Sequence, residues 1–419
     1  MPQRGLILAA PASGSGKTTL TLGVLRALTR RGIDVRGAKS GPDYIDPRFH
    51  EAASGRPSIN LDAWAMSKRQ LRALAHGEWL LLVEGAMGLF DGAPDGYGAT
   101  ADLARILDLP VVLVVDAARM SQSVAAIVRG FATHDPEVRI AGVILNRVGS
   151  ARHDAMLRRA LAPLGLPVLG SLMRDSALSL PDRHLGLVQA GEHPDLTGFL
   201  DRVAERVAEA IDLVLLVSLA RPVASIPPAP TAPRPRRIAI ARDVAFSFTY
   251  PHQIARWQAE GATLLPFSPL ANDPVPEADF VYLPGGYPEL HAARIAGADR
   301  FLTTLREAAQ TSDIYGECGG YMVLGETLTD AEGTSHRMAG LLGLATSFQT
   351  RRLHLGYRNL TSHWSALPGT HKAHEFHYAT TLAAHGAPLF DATDALGEAL
   401  SPMGLIEGRV AGSFAHLIA

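Results

Sequence analysis

The chain has little that would lock it covalently and little that would commit it to a charged or lipid surface. Of its 419 residues a single one, Cys318, is cysteine, which excludes an internal disulfide and fits a reducing cytoplasm. Neither sign of charge dominates: 39 lysines and arginines stand against 41 aspartates and glutamates, so there is no basic field to hold nucleic acid. No apolar run is long enough to span a bilayer, and Met1-Pro2-Gln3-Arg4-Gly5 leads straight into a short strand pattern without signal-peptide character. Lysine is scarce as well. Lys17, Lys39, Lys68 and Lys372 are the only ones, a bias that base composition explains and that makes Lys17 and Lys39 conspicuous.

What is present is an alternation. Short apolar runs at Leu6 to Ala9, Asp34 to Ala38, Leu80 to Val83, Val111 to Val115, Ala141 to Leu145 and Pro167 to Gly170 are separated by helical patterns such as Thr18 to Arg30 and Arg152 to Leu164. Continuous apolar strands between helices predict a parallel sheet covered on both faces. Asp201 to Leu219 reads as a closing helix. Between Arg221 and Arg236 the composition changes to six prolines and few large apolar residues, an extended linker that would reach ~50 Å at about 3.1 Å per residue. A second strand series begins at Ile238 to Ala241 and continues at Phe280 to Leu283. The expected organisation is α/β: two doubly wound domains, 1–220 and 237–419, joined by 221–236.

The first domain carries a phosphate motif in its proper setting. Gly14-Ser15-Gly16-Lys17-Thr18-Thr19 follows the first strand and opens the first helix, so backbone N–H groups would wrap phosphates, Lys17 would offset their charge and the Thr18 hydroxyl would face magnesium. Pro11 stands where such loops usually begin with glycine. Lys39-Ser40-Gly41-Pro42-Asp43-Tyr44-Ile45-Asp46-Pro47 follows the second strand and would emerge at the same sheet edge. Asp43 and Asp46 there are candidates for metal or substrate, though a turn rich in Gly, Pro and Asp is common in its own right. Glu84 ends a buried strand ahead of Gly85 and suits a metal ligand. Asn146 ends another strand and reads either as an adenine contact or as a loop cap.

The second domain centres on Tyr315-Gly316-Glu317-Cys318-Gly319-Gly320-Tyr321. A lone cysteine is often just a small buried residue. Here glycines flank it at a strand-to-helix turn, where a nucleophile needs small neighbours and a helix N-terminus favours the thiolate. His416, about a hundred residues on, offers a base. Gly286, in Pro284-Gly285-Gly286-Tyr287-Pro288-Glu289 after another strand, would offer an N–H to a developing oxyanion together with Gly319. Glu375-Phe376-His377-Tyr378 reads as alternating residues of a half-buried strand.

Together these motifs resemble the cobyrinic/hydrogenobyrinic acid a,c-diamide synthases over nearly the whole chain. The specific segments are Gly41 to Pro47, Glu84 to Gly92, Leu180 to Leu187, Leu283 to Glu289 and His374 to Tyr378. The first half is similar to dethiobiotin synthetase-like ATPases and the second to class I glutamine amidotransferases. The resemblance implies ATP- and Mg²⁺-dependent amidation of two acetate side chains of a corrin ring, with glutamine as nitrogen donor and no redox cofactor. It implies Cys318 as nucleophile and His416 as base. It places Asp43 and Ile45 at the substrate carboxylate and Glu84 where the phosphorylated intermediate is supported. Beside it, the reading of the residues themselves adds Lys39, Tyr44 and Asp46 as substrate candidates, Thr18, Asp43 and Glu84 as metal candidates, and Gly14 to Thr19 with Asn146 as ATP candidates. Class I domains usually have a Glu two residues after the His. Ile418 stands there, so the pair is expected to act as a dyad with its His oriented from elsewhere. Arginine richness tips the expected substrate toward cobalt-free hydrogenobyrinic acid. The alternatives are a nickel-sirohydrochlorin a,c-diamide synthase and a partitioning-type ATPase with an inactive amidotransferase-like module. A cytoplasmic enzyme of small-molecule substrates is expected, with a homodimer compatible and no nucleic acid or membrane partner.

Overall fold

A computed structural model describes residues 3–178, 189–192, 194–229, 233–234 and 236–419. The Leu180 to Leu187 motif lies outside the described residues. The chain divides into two compact units, 1–229 and 230–419.

The first unit is built on strands β1 (Arg4–Ala9), β2 (Val35–Ser40), β3 (Ile59–Leu61), β4 (Leu80–Glu84), β5 (Val111–Asp116), β6 (Ile140–Val148) and β7 (Val168–Met173), in the order β3-β2-β4-β1-β5-β6-β7. All these neighbours run parallel. The order reverses direction beside β1, so the loops after β1, β2 and β4 open at one carboxyl edge, where such sheets bind ligands. Helix α1 (Lys17–Arg30) packs its Leu20, Leu25 and Leu28 into the core. The predicted closing helix is two helices, Leu196–Ala210 and Leu213–Leu219. Ile211 is extended between them and bridges to Gly170, and the Asp212 side chain caps the second helix by accepting from Leu215 N. Gly23 brings α1 against the first of these helices, since a Cβ there would sit 2.5 Å from Val207 Cγ2.

The start of the proline-rich stretch is docked on the first unit. Arg221–Pro222 forms β8, antiparallel to β1, and the N–H groups of Val223, Ala224 and Ile226 donate to Gln3, Leu107 and Arg72 carbonyls. Proline supplies extended backbone, and the N–H groups between Pro222 and Pro227 supply the docking.

The second unit contains β9 (Arg237–Ala241), β10 (Thr263–Phe267), β11 (Phe280–Leu283), β12 (Asp313–Glu317), β13 (Thr327–Thr329), β14 (Ser335–Arg337), β15 (Gly343–Ser347), β16 (His354–Ser362), β17 (Gly369–His377), β18 (Thr380–His385), β19 (Ala387–Thr393), β20 (Met403–Glu407), β21 (Val410–Ser413) and β22 (Ala415–Leu417). The large sheet runs β10-β9-β11-β12-β21-β20-β19-β16-β17-β22. From β10 to β21 it is parallel; from β21 onward it is antiparallel. Its first half is parallel and its second half antiparallel, where β16–β17, β19–β20 and β20–β21 are pairs of successive strands whose short connections leave no room for crossover helices. A small sheet, β14-β13-β15-β18, lies apart from it. Among the described residues no helix is long and apolar enough to cross a membrane.

Candidate active sites

At the first unit's carboxyl edge, Gly14 and Gly16 take φ of +75° and +81° to wrap the loop onto the start of α1. Lys17 Nζ donates to the carbonyls of Met87 at 2.6 Å and Ala12 at 3.3 Å, which ties the phosphate loop to the loop after β4. Burial, with Lys39 nearby, pulls its pKa down. Thr19 donates to the Leu178 carbonyl. Asn146 lies under the loop: its Nδ2 donates to Ser15 O at 2.8 Å and its Oδ1 accepts from Arg147 N, and a Cβ on Gly16 would sit 2.3 Å from that Nδ2. Of the two readings of Asn146, its contacts here are those of a loop brace.

Behind the loop is a buried charge cluster. Lys39 Nζ donates to Asp46 and, at 2.8 Å, to Glu84, while Thr18 Oγ1 donates to Glu84 Oε1 at 2.6 Å and lies 3.4 Å from Asp46 Oδ2. Asp43 is 3.9 Å from Lys39, and its Oδ1 accepts from Ile45 N and Asp46 N, forming the turn that starts the helix Asp46–Ser54. Of the two candidate carboxylates of this loop, Asp46 is the one that reaches Thr18 and shares Lys39 with Glu84. The reason is local: Asp43 satisfies its own turn. Tyr44 and Ile45 sit in that turn. Burial would lower the Lys39 pKa, but Asp46, Glu84 and Asp43 hold it well up. Burial would raise Glu84, yet Lys39 and His50 hold it well down. Burial and Asp43 raise Asp46 against Lys39. The cluster carries more carboxylates than cations, and its converging oxygens suit a hard divalent ion.

In the second unit Cys318 follows β12 with φ +46° and ψ −101°, a backbone that costs energy for any residue with a side chain and is typical of a nucleophile at a sharp turn. The turn is closed by contacts that tolerate no larger residue. A Cβ on Gly320 would lie 2.0 Å from Leu283 O, and one on Gly316 would lie 2.8 Å from the Gly320 backbone. Gly320→Ala is therefore expected to destabilise this unit by about 1–3 kcal/mol, read as a lowered thermal midpoint. An unchanged midpoint would contradict the packing described. Cys318 N donates to Ser413 O at 2.8 Å, which pins the elbow to β21.

His416 is 2 % exposed and lies between Cys318 and Glu317. Gly285 marks their common edge, since a Cβ there would be 2.5 Å from His416 Cε1 and 3.4 Å from Cys318 Cβ. The Gly286 N–H is close to Gly319, 3.1 Å from where a Cβ on Gly319 would be. Burial would lower the His416 pKa, but Cys318 and Glu317 outweigh it and push it up to about 10.

The amino-acid comparisons fit this geometry. Residues 6–188 match the CobQ/CobB/MinD/ParA nucleotide binding domain, and residues 237–419 match the CobB/CobQ-like glutamine amidotransferase domain. The chain is 55% identical to a hydrogenobyrinate a,c-diamide synthase of Rhodobacter capsulatus, over 99% of both chains. It is 56% identical to the synthase of the same name from Brucella abortus, over 99% of this chain and 98% of that one. The chain belongs to the hydrogenobyrinate a,c-diamide synthase family.

Two residues of this synthase-family chain escaped the sequence reading. His50 Nε2 meets Glu84 Oε2 at 2.7 Å and its Nδ1 meets Ser58 Oγ at 3.3 Å, all of them buried. Glu317 lies beside His416. Glu317 ends a strand whose preceding Ile314 and Tyr315 are buried, a signal for a partnered carboxylate; His50 sits among Asp46, Arg48 and Glu51 on its helix and carries no such local signal. The Glu375 segment alternates as expected: Glu375 and His377 are buried and Phe376 is exposed. His354, Glu375 and His377 lie within 4.8 Å of one another. The two imidazoles, however, stack with only 2° between their planes, and Arg358 Nη2 sits 2.7 Å from Glu375. The Glu375 carboxylate thus already has Arg358 as a cation partner and His377 as a hydrogen-bond partner. Burial would raise Glu375, but His377 and Arg358 bring it down to about 2.

Proposed function

We propose that the protein converts the a and c acetate carboxylates of hydrogenobyrinic acid to carboxamides, with glutamine as nitrogen donor and ATP as the activating reagent. The observation that carries this reading is a phosphate loop with a buried acid–lysine cluster, and a Cys–His elbow, on a chain 55% identical end to end to a synthase of that name. The cobalt-free substrate follows from the relatives' names.

In the second unit the Cys318 thiolate attacks the glutamine amide carbon. The N–H groups of Gly286 and Gly319 take the developing oxyanion, and His416 gives its proton to the departing ammonia. Water, deprotonated by His416, then releases glutamate from the thioester. In the first unit a substrate carboxylate oxygen attacks the γ-phosphorus of ATP and ADP leaves. Ammonia attacks the acyl phosphate carbon, and phosphate departs carrying that carboxylate oxygen. Phosphorylation replaces oxide, a poor leaving group, with a stable one. Gly14 to Thr19 cradle the phosphates, Asn146 braces the cradle, and Lys17 offsets the transferring charge. Thr18 and Glu84, joined by Asp46, would hold Mg²⁺, which supplies charge neutralisation on the phosphates. Lys39, Asp43, Tyr44 and Ile45 line the substrate side.

The test uses substrate labelled with oxygen-18 in its carboxylates. Label appearing in inorganic phosphate, only when ATP and a nitrogen source are both present, is expected. Unlabelled phosphate with amide still formed would overturn the acyl phosphate.

His416 sets a pH dependence. Its folded pKa of about 10 exceeds its ordinary value of 6.5, so the imidazolium and the stability it adds are fully present below 6.5 and are lost as pH rises through about 10. The glutaminase rate should hold through neutral pH and fall on the alkaline side only near that value. A rate falling around 6.5 would contradict it.

A further inference from the structure

His416 lacks the carboxylate that a histidine base ordinarily leans on, since the residue two further along is Ile418. That position is not merely empty of charge. Ile418 is buried, and its carbonyl accepts from His252 Nε2 at 2.9 Å. Something else must keep the His416 ring edge-on to the thiol, because a ring free to turn would present the wrong nitrogen.

We propose that Glu317, the residue immediately before the nucleophile, is the positioning residue for His416 and completes a Cys318–His416–Glu317 triad. Three observations carry this. Glu317 is 1 % exposed, and its Oε2 lies 3.6 Å from His416 Nδ1, an ion-pair separation. Its two oxygens are themselves fixed: Tyr282 Oη donates to Oε2 at 2.9 Å and Leu417 N donates to Oε1 at 3.2 Å. The last contact ties the carboxylate to the backbone just after His416, so it holds both the ring and the strand that carries it. The third observation is geometric. β12 pairs parallel with β21, Glu317 beside Ser413, and the chain turns through Phe414 into β22. The chain leaves β21, the parallel neighbour of β12, and enters β22 within two residues, which brings His416 back beside the end of β12 where Glu317 stands.

The other ionisable groups around His416 cannot take this role. On β17, burial, His416 and Arg358 push His374 down to about 3, and burial also lowers His377. On β11 and β12, burial and Glu317 keep the phenols of Tyr282 and Tyr315 protonated well beyond neutral pH. Glu375 is held by His377 and Arg358. Glu317 is thus the carboxylate facing the ring among the described residues.

This proposal rests on the glutaminase reading, and its test is chosen to separate the two. Cys318 is the only thiol, so alkylation by iodoacetamide reports the Cys318–His416 pair whatever the substrate is. Glu317→Gln keeps the shape and the Leu417 contact but removes the charge. Expected are a fall of about tenfold or more in glutamine-dependent kcat with KM for glutamine little changed, slower alkylation at neutral pH, and an alkaline limb of the rate profile moved to lower pH. Ammonia-dependent amidation should stay at the parent level, which also reports that the chain is folded. Glu317→Asp should restore part of the rate. Tyr282→Phe provides an independent readout. Freed of the phenol's donation, the carboxylate holds the imidazolium more tightly, and the alkaline limb should move up. Unshifted limbs and unchanged alkylation in both variants would overturn the triad. So would a Gln variant that loses ammonia-dependent and glutamine-dependent activity equally, since that is structural damage. Loss of amidation on every nitrogen source in the parent protein, with the alkylation shifts intact, would instead overturn the reading of the substrate.

Discussion

Cys318→Ala is expected to lower glutamine-dependent amidation by at least about ten-thousandfold and to leave ammonia-dependent amidation within about twofold of the parent. The size of the effect follows from chemistry. The thiolate is the atom that bonds to the amide carbon, and neither the oxyanion N–H groups nor His416 can replace that bond. The selectivity follows from the division of labour. The first unit's cluster of Lys17, Lys39, Glu84 and Thr18 contains no residue from the elbow. The substitution itself is mild for folding, because alanine fits the site of a small buried side chain. Parallel rates with glutamine and with ammonium salt, followed by amide formation, check it. If ammonia-dependent activity disappears as well, Cys318 is structural.

Lys39→Met is expected to damage both stability and activity. Lys39 is buried between Asp46 and Glu84, which are 5 % and 0 % exposed. Removing one member of a buried charge cluster leaves the remaining carboxylates without compensation, typically at a cost of 3–5 kcal/mol, about what this variant should lose. Glu84 would keep His50 and Thr18, and Asp46 would take up a proton more readily than before. Denaturant unfolding of the first unit reads the loss. Added Mg²⁺ should restore part of it, because the oxygens left behind suit a hard cation. A loss below about 1 kcal/mol would mean that the cluster is solvated rather than buried. Amidation should fail on every nitrogen source, since the defect lies on the phosphoryl side.

Much of this was legible in the sequence, for identifiable reasons. The phosphate loop could be read because glycine at left-handed positions and a lysine opening a helix constrain backbone and charge together. The cysteine elbow could be read because strand, glycines and helix coincide at Gly316 to Tyr321. What stayed hidden depends on contacts distant in sequence. Nothing local tells that Asp43 would be used by its own turn while Asp46 reaches Thr18 across 28 positions. Asn146 offered two readings because an amide at a strand end serves an adenine or a loop equally well, and its contact with Ser15, 131 positions away, is not local. The antiparallel half of the second sheet was missed because short strands in hairpins and buried strands of a parallel sheet share the same apolar residues. The break at Ile211 was missed because Asp212, a capping residue, sits inside an otherwise helical apolar pattern. Glu317 was quoted with its motif and passed over, since its significance rests on His416, about a hundred residues away.

The most direct measurement is the mass of the product formed from hydrogenobyrinic acid, glutamine, ATP and Mg²⁺, with amide-labelled nitrogen-15 glutamine run in parallel. The account predicts conversion of two carboxylates to carboxamides, both carrying the label, with one ATP consumed for each. A macrocycle recovered unchanged, even with ammonium salt in excess and ATP still hydrolysed, would contradict it.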